Sequence, residues 1–182
     1  MALERKKTLN VFKDAKNAWG SHDDYPVGPP GTDPMPHLSR NRVPQPFFLV
    51  GEEDQVLIQM AGVATLELRE TETTRMRLVP GDTVYIPAGT PSRLVPEGEN
   101  VVVRLKAEPP TREAVAWFCD ACGALVHHRE LEAGIVQDQY WSAVHEFNAD
   151  ASLRTCGCGA VHPIVDLGDI AWPAVAAALR GE

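Results

Sequence analysis

The sequence predicts a mainly β fold: an antiparallel barrel or jelly roll, preceded by an irregular N-terminal segment and followed by a metal-stapled helical tail. Three observations predict it. Between residues 47 and 105, short β-branched and aromatic runs alternate with turn signals. A proline-rich stretch that reads as loop comes before them, and two cysteine pairs with two helical patterns come after. The expected division is an N-terminal arm and wrapping loop over 1–46, a barrel core over 47–110, and a tail over 111–182.

Residues 1–20 scatter Leu3, Leu9, Val11, Phe12 and Trp19 among lysines, which suits a short helix or an extended arm. Tyr25-Pro26-Val27-Gly28-Pro29-Pro30-Gly31 and Pro34-Met35-Pro36 then predict a wrapping loop with neither helix nor central strand. The expected strands are Phe47–Val50, Val56–Met60, Val63–Leu68, Met76–Val79, Val84–Ile86 and Val101–Leu105, punctuated by Gly62, Pro80-Gly81 and Gly89. Beyond Pro109-Pro110 the pattern predicts a helix around Ile135–Phe147 and an alanine-rich one from Pro173 to Leu179.

A chain of 182 residues with 44% hydrophobic content fills one main core. A formal net charge of -8 without a basic stripe excludes a general nucleic-acid surface. No apolar run approaches the roughly 18–20 residues of a membrane span. The charged start Glu4-Arg5-Lys6-Lys7 is not followed by an apolar signal core, so a cytoplasmic location is expected. No phosphate loop and no Gly-x-Ser-x-Gly elbow is present.

All four cysteines lie in the tail, as Cys119-x-x-Cys122 and Cys156-x-Cys158, each pair followed by a glycine, Gly123 or Gly159. Two chelating pairs on such turns present four thiolates tetrahedrally, as a structural Zn²⁺ or a rubredoxin-like iron requires. The second pair is tighter than the usual C-x-x-C, and His162 is a conceivable substitute ligand. Ordinary thiols or a disulfide are the alternative.

Gln59-Met60-Ala61-Gly62, Gly81-Asp82 through Thr90-Pro91, Trp117–His127, Phe147–Asp150 and Leu153–Ala160 together resemble the bacterial 3-hydroxyanthranilate 3,4-dioxygenases, from about Asn41 to Pro163. The resemblance implies a cupin barrel with a catalytic Fe(II), a four-cysteine metal site in the tail, and a homodimer. The positions it assigns to the iron ligands hold Leu49, Gln55 and Ser92 here, and those of its substrate contacts fall at Gln45, Pro96 and Lys106. Leucine has no donor atom, glutamine is a weak neutral one, and a serine hydroxyl is not readily deprotonated. No barrel iron is therefore expected.

Strand alternation puts Gln55, Leu57 and Gln59 on one face, and Arg104 with Lys106 on another, opposite Val101, Val103 and Leu105. If both polar faces look inward, Gln55, Gln59, Ser92, Arg104 and Lys106 line a cationic pocket suited to a small anionic metabolite. The alternative leaves the two cations in solvent, or paired with Glu67 or Glu70. The leading expectation is a metal-independent isomerase, cyclase or lyase acting on a carboxylated aromatic or aminophenol-derived metabolite. In it Arg104 and Lys106 anchor the anion, Lys106, Arg104 and Gln59 are the catalytic candidates, and Gln55 and Ser92 orient the ligand. A non-catalytic binding protein is the second reading. A ring-cleaving dioxygenase using shifted ligands such as His37 and Glu52 or Glu53 is the third, although an exposed or structural His37 and a solvated Glu52-Glu53-Asp54 turn are the default. His127, His128 and His145 read as surface or packing residues.

Overall fold

A computed structural model describes residues 10–16, 22, 25–29, 31–107, 112–132, 134–168 and 170–182. Its described part contains eleven strands in two antiparallel sheets, with three helices. The first sheet has the order β1 (Tyr25–Pro26), β2 (Met35–Asn41), β9 (Asn100–Lys106), β4 (Gln55–Ala61), β7 (Thr83–Ile86). The second runs β11 (Leu125–Glu130), β10 (Glu113–Phe118), β3 (Phe48–Gly51), β8 (Ser92–Pro96), β5 (Ala64–Leu68), β6 (Arg75–Leu78). Leu57, Ile86 and Val102 of the first sheet interlock with Leu66, Leu68, Leu78 and Leu94 of the second. This is the mainly β, cupin-type double sheet that the strand pattern predicts.

The sheets draw in more chain than residues 47–110. β2 lies within the stretch expected to be loop, and it pairs with β9 along its whole length, from Met35↔Lys106 to Asn41↔Asn100. Pro36 is tolerated because its missing N–H lies on the same side as its carbonyl, which accepts from Val27 N–H, where β1 has already ended. β10 and β11 likewise extend the second sheet past residue 110. β8 was also unanticipated.

The N-terminal expectation is met only in part: α1 (Val11–Asp14) is a single turn, and residues 1–9 and 17–21 lie outside the described residues. Val11 and Ala15 pack with Leu38, Val101 and Val103 on the outer face of the first sheet. The apolar face of β9 is thus covered, and its opposite face is left for the barrel interior.

The tail helices close the other side. α2 (Val136–Ala149) buries Gln137, Tyr140, Ala143, Val144 and Phe147, the three- and four-residue spacing of one helical face. That face packs on Phe47, Leu49, Val115 and Trp117 together with Trp172 of α3 (Trp172–Arg180). Trp117 and Phe147 stack with ring centroids 4.1 Å apart. Asn148 then holds the returning chain, donating to the Val165 carbonyl and accepting from its N–H, both at 2.8 Å.

Candidate barrel site and four-cysteine metal site

The inner face of the first sheet is a ladder of polar side chains. Antiparallel register sets Asn41 beside Asn100, then Ser39, Val102 and Gln59 in one row, then His37, Arg104 and Leu57, with Lys106 and Gln55 at the far end. Gln55, Gln59, Ser92, Arg104 and Lys106 are all buried, Arg104 completely. Alternation therefore put these residues on the correct face, and the solvent-exposed alternative for the two cations is excluded.

Arg104 is held by the two polar positions that the family resemblance assigns to iron. Its Nη1 donates to Gln55 Oε1 at 2.8 Å and to Ser92 Oγ at 3.4 Å. Leu49, the third such position, is the direct register partner of Ser92. Gln55 is placed by Gly51, where any Cβ would collide with the Gln55 amide nitrogen. A permanently charged guanidinium thus lies where these side chains converge. It opposes a dication electrostatically, and neutral amide and hydroxyl oxygens are poor partners for Fe(II). The residues present do not fit a barrel iron.

Lys106 does not pair with Glu67 or Glu70. Its Nζ lies 2.8 Å from Glu113 Oε1, with the Lys106 side chain buried and that of Glu113 nearly so, and Tyr140 Oη donates to Glu113 Oε2 at 3.5 Å. Glu67 instead contacts Arg75 and Arg93 on the outside of the second sheet. The Lys106–Glu113 pair joins the end of β9 to the start of β10, so it ties one sheet to the other. Neither Glu113 nor Tyr140 was legible as a site residue, because nothing in the spacing of β10 shows which cation faces it.

His37 is half-buried rather than exposed. It stands opposite Arg104 on β2, with its Nδ1 enclosed and without a hydrogen-bond partner among the described residues. Burial, then the charges of Lys106 and Arg104, push its pKa from 6.5 down to about 2. It is neutral in the folded protein near pH 7. The unfolded chain takes up a proton there below about pH 6.5 while the folded chain does not, so stability is expected to fall by up to about 1.4 kcal/mol per pH unit on acidification. Unfolding free energies at pH 7, 6 and 5 should fall less steeply for His37→Gln than for the parent. Parallel profiles would contradict the burial argument.

Glu52 and Glu53 are exposed and do not join His37. Asp54 ties their turn down, accepting from Ala88 N–H at 2.9 Å. Among the described residues, the cluster of three or more potential metal-ligating side chains is made by the four cysteines alone. His37, Glu52 and Glu53 form no such cluster among the described residues.

The four sulfurs lie within 4.8 Å of one another. Cys119 and Cys158 are 3.7 Å apart and Cys122 and Cys156 are 3.6 Å apart, close to the ~3.8 Å edge of a tetrahedron with metal–sulfur bonds of about 2.3 Å. Two turns build the site. Cys119 N–H donates to Ala124 O and Gly123 N–H to Cys119 O, while Cys156 N–H donates to Ala160 O and Gly159 N–H to Cys156 O. Gly123 at φ 75° and Gly159 at φ 89° adopt the left-handed conformation that such turns demand. The N–H groups of Cys122 and Ala121 hold Cys119 down to about 7. Cys122, though lowered by Ala124 N–H, is pushed up to about 12 by Cys156, Cys158 and Cys119. The set fits a metal ion, and all four cysteines are free of disulfides.

His162 is not needed as a ligand; its Nδ1 lies 2.8 Å from Pro163 O. His127 on β11 stacks against Trp117, and His145 lies on exposed α2 surface beside Trp141.

A 3-hydroxyanthranilate 3,4-dioxygenase of Bacillus thuringiensis (strain Al Hakam) is 27% identical over 121 residues, covering 64% of this chain and 68% of that enzyme. The chain is similar to 3-hydroxyanthranilate 3,4-dioxygenases. One from Brucella anthropi is 30% identical over 117 residues, covering 60% of this chain and 64% of its own. A solved cupin-2 domain protein from Shewanella frigidimarina NCIMB 400 matches 55% of this chain and 94% of its own, with TM-score 0.45 and 19% identity. No family profile matches the chain. No helix among the described residues is long and apolar enough to cross a membrane.

Proposed function

We propose that the protein is a repurposed 3-hydroxyanthranilate-dioxygenase-like cupin, cytoplasmic and dimeric, that acts without barrel iron on a small carboxylated aromatic or aminophenol-derived metabolite. The observation that carries the reading is the Arg104 guanidinium, fully buried in the barrel and bonded to Gln55 and Ser92, the polar side chains at the iron-ligand positions. A protein cation stands in for the metal cation, and it offers the fork geometry that a carboxylate matches. The names of the relatives supply the substrate class. The reaction is of the isomerase, cyclase or lyase type, with Lys106, Glu113 and Tyr140 as the buried groups able to handle a proton beside the ligand. Lys106 contributes as half of an ion pair with Glu113. The tail holds one Zn²⁺ or Fe as a structural staple.

Binding of benzoate and 3-hydroxyanthranilate by titration calorimetry tests this. Arg104→Met, folded by circular dichroism, is expected to bind ten- to a hundredfold more weakly, as loss of a charge-assisted hydrogen bond of about 1.5–3 kcal/mol implies. Arg104→Lys should fall between the two. Undiminished binding by Arg104→Met would defeat the anion reading. The parent should not open the ring of 3-hydroxyanthranilate in the presence of Fe(II). Ring opening at ordinary enzymatic rates would overturn metal independence.

A further inference from the structure

The other end of the polar ladder has no role in holding an anion. Asn100 is completely buried at the start of β9, and both its Oδ1 and its Nδ2 lack hydrogen-bond partners among the described residues. Since both atoms are unpaired, the direction in which the amide is drawn does not matter. Gln59, also fully buried, donates through Nε2 to the carbonyls of Ala61 and Gly62 at 2.7 and 3.1 Å, but its Oε1 is unpartnered. A third buried carboxamide, Gln45 in the connection between β2 and β3, has both side-chain polar atoms unpartnered.

Each such atom costs stability, and native interiors rarely leave several together. The neighbouring polar groups are already engaged: Asn41 donates to Ser39 and accepts from the His22 N–H. Leucine would fill the place of Asn100 without the penalty. A buried polar residue that weakens the fold is the kind of local inconsistency found at functional sites.

We propose that Asn100 and Gln59 form an uncharged polar subsite, separate from the Arg104 end, that selects a hydroxyl, amino or carboxamide substituent on the ligand. The inference rests on the reading of the barrel as a carboxylate site. Asn100 and Gln59 together offer two acceptors and one donor, so the complementary group donates at least once and is neutral. Neighbouring same-face rows of the ladder are about 7 Å apart. Val102 and Leu57 lie between the two polar ends and pack against the leucines of the second sheet. The favoured ligand is therefore an apolar, ring-sized body with a carboxylate at one end and a neutral hydrogen-bonding substituent toward the other.

Calorimetric titration of the full chain with benzoate, 3-hydroxybenzoate, 3-aminobenzoate and 3-carbamoylbenzoate tests the subsite. At least one substituted probe should bind about tenfold more tightly than benzoate, the value of one hydrogen bond to an otherwise unpaired buried group. In Asn100→Leu, of similar volume, that ratio should fall to about one while the melting temperature is kept or raised. A preference that survives Asn100→Leu, or no preference in the parent, overturns the proposal. So does a melting temperature lowered by more than roughly 5 °C in both Asn100→Leu and Asn100→Ala, which would mean that ordered water satisfies these atoms as part of the fold. Failure of the carboxylate reading gives a different signature: Arg104→Met leaves benzoate affinity intact, whereas the ratio lost in Asn100→Leu reports on the subsite alone.

Discussion

Replacement of Cys119 and Cys156 by serine is expected to abolish metal binding and to leave a chain that melts at much lower temperature or aggregates. The purified parent should carry one Zn²⁺ or Fe per chain. The expectation follows from where the four thiols sit. Cys119 directly follows β10, and Cys156 follows the turn after α2, so one ion pins a strand of the second sheet to the helix that covers it. Trp117 and Phe147, stacked just inside this staple, depend on the same alignment. Structural zinc in small domains binds with an apparent free energy of about 10–16 kcal/mol, comparable to the whole stability of a typical domain. Elemental analysis together with thermal unfolding, with and without chelator, measures both effects. Two metals per chain, one of them surviving the double substitution, would place a second ion elsewhere and contradict the reading of the barrel.

Glu113→Ala is expected to cost about 3–5 kcal/mol in unfolding free energy, because it leaves the Lys106 ammonium buried without its carboxylate. The side chains of Lys106 and Glu113 are only 7% and 13% exposed, so water cannot substitute readily. Lys106→Met should destabilise comparably by stranding Glu113, and for that reason it does not isolate ligand binding. The double replacement Lys106→Met with Glu113→Leu should recover most of the loss, since an apolar pair of similar volume needs no desolvation. Urea unfolding of the four proteins measures these losses, and adding Glu113→Leu alone completes the cycle that gives the coupling. A loss below about 1 kcal/mol in Glu113→Ala would show a solvated, surface-like pair.

Much of the barrel was legible because strand alternation is a local property. Gln55, Leu57 and Gln59 share a face whatever lies across from them, and the apolar run Val101, Val103, Leu105 assigns Arg104 and Lys106 to the opposite one. The cysteine site was legible for the same reason: each chelating pair and its glycine turn is complete within a few residues. β2 was not, since Pro34 before it and Pro36 within it read as loop until β9 offers it a partner along its whole length. β10 was hidden by the cysteine motif that follows it, and β8 by its polar start and terminal proline.

By itself, then, the sequence determined the period of the strands, the turns between them, the paired thiols, and the loss of plausible iron donors at Leu49, Gln55 and Ser92. Tertiary structure alone decided what faces what. It set the Arg104 guanidinium between Gln55 and Ser92, matched Lys106 with Glu113 across the two sheets, turned His37 inward, and left the Asn100 carboxamide buried with no hydrogen-bond partner among the described residues. The physical reason is range. Periodicity and turn chemistry act over a few residues, whereas the pairing of buried charges and amides depends on strand neighbours far apart in the chain, such as His37 and Arg104, which are 67 residues apart.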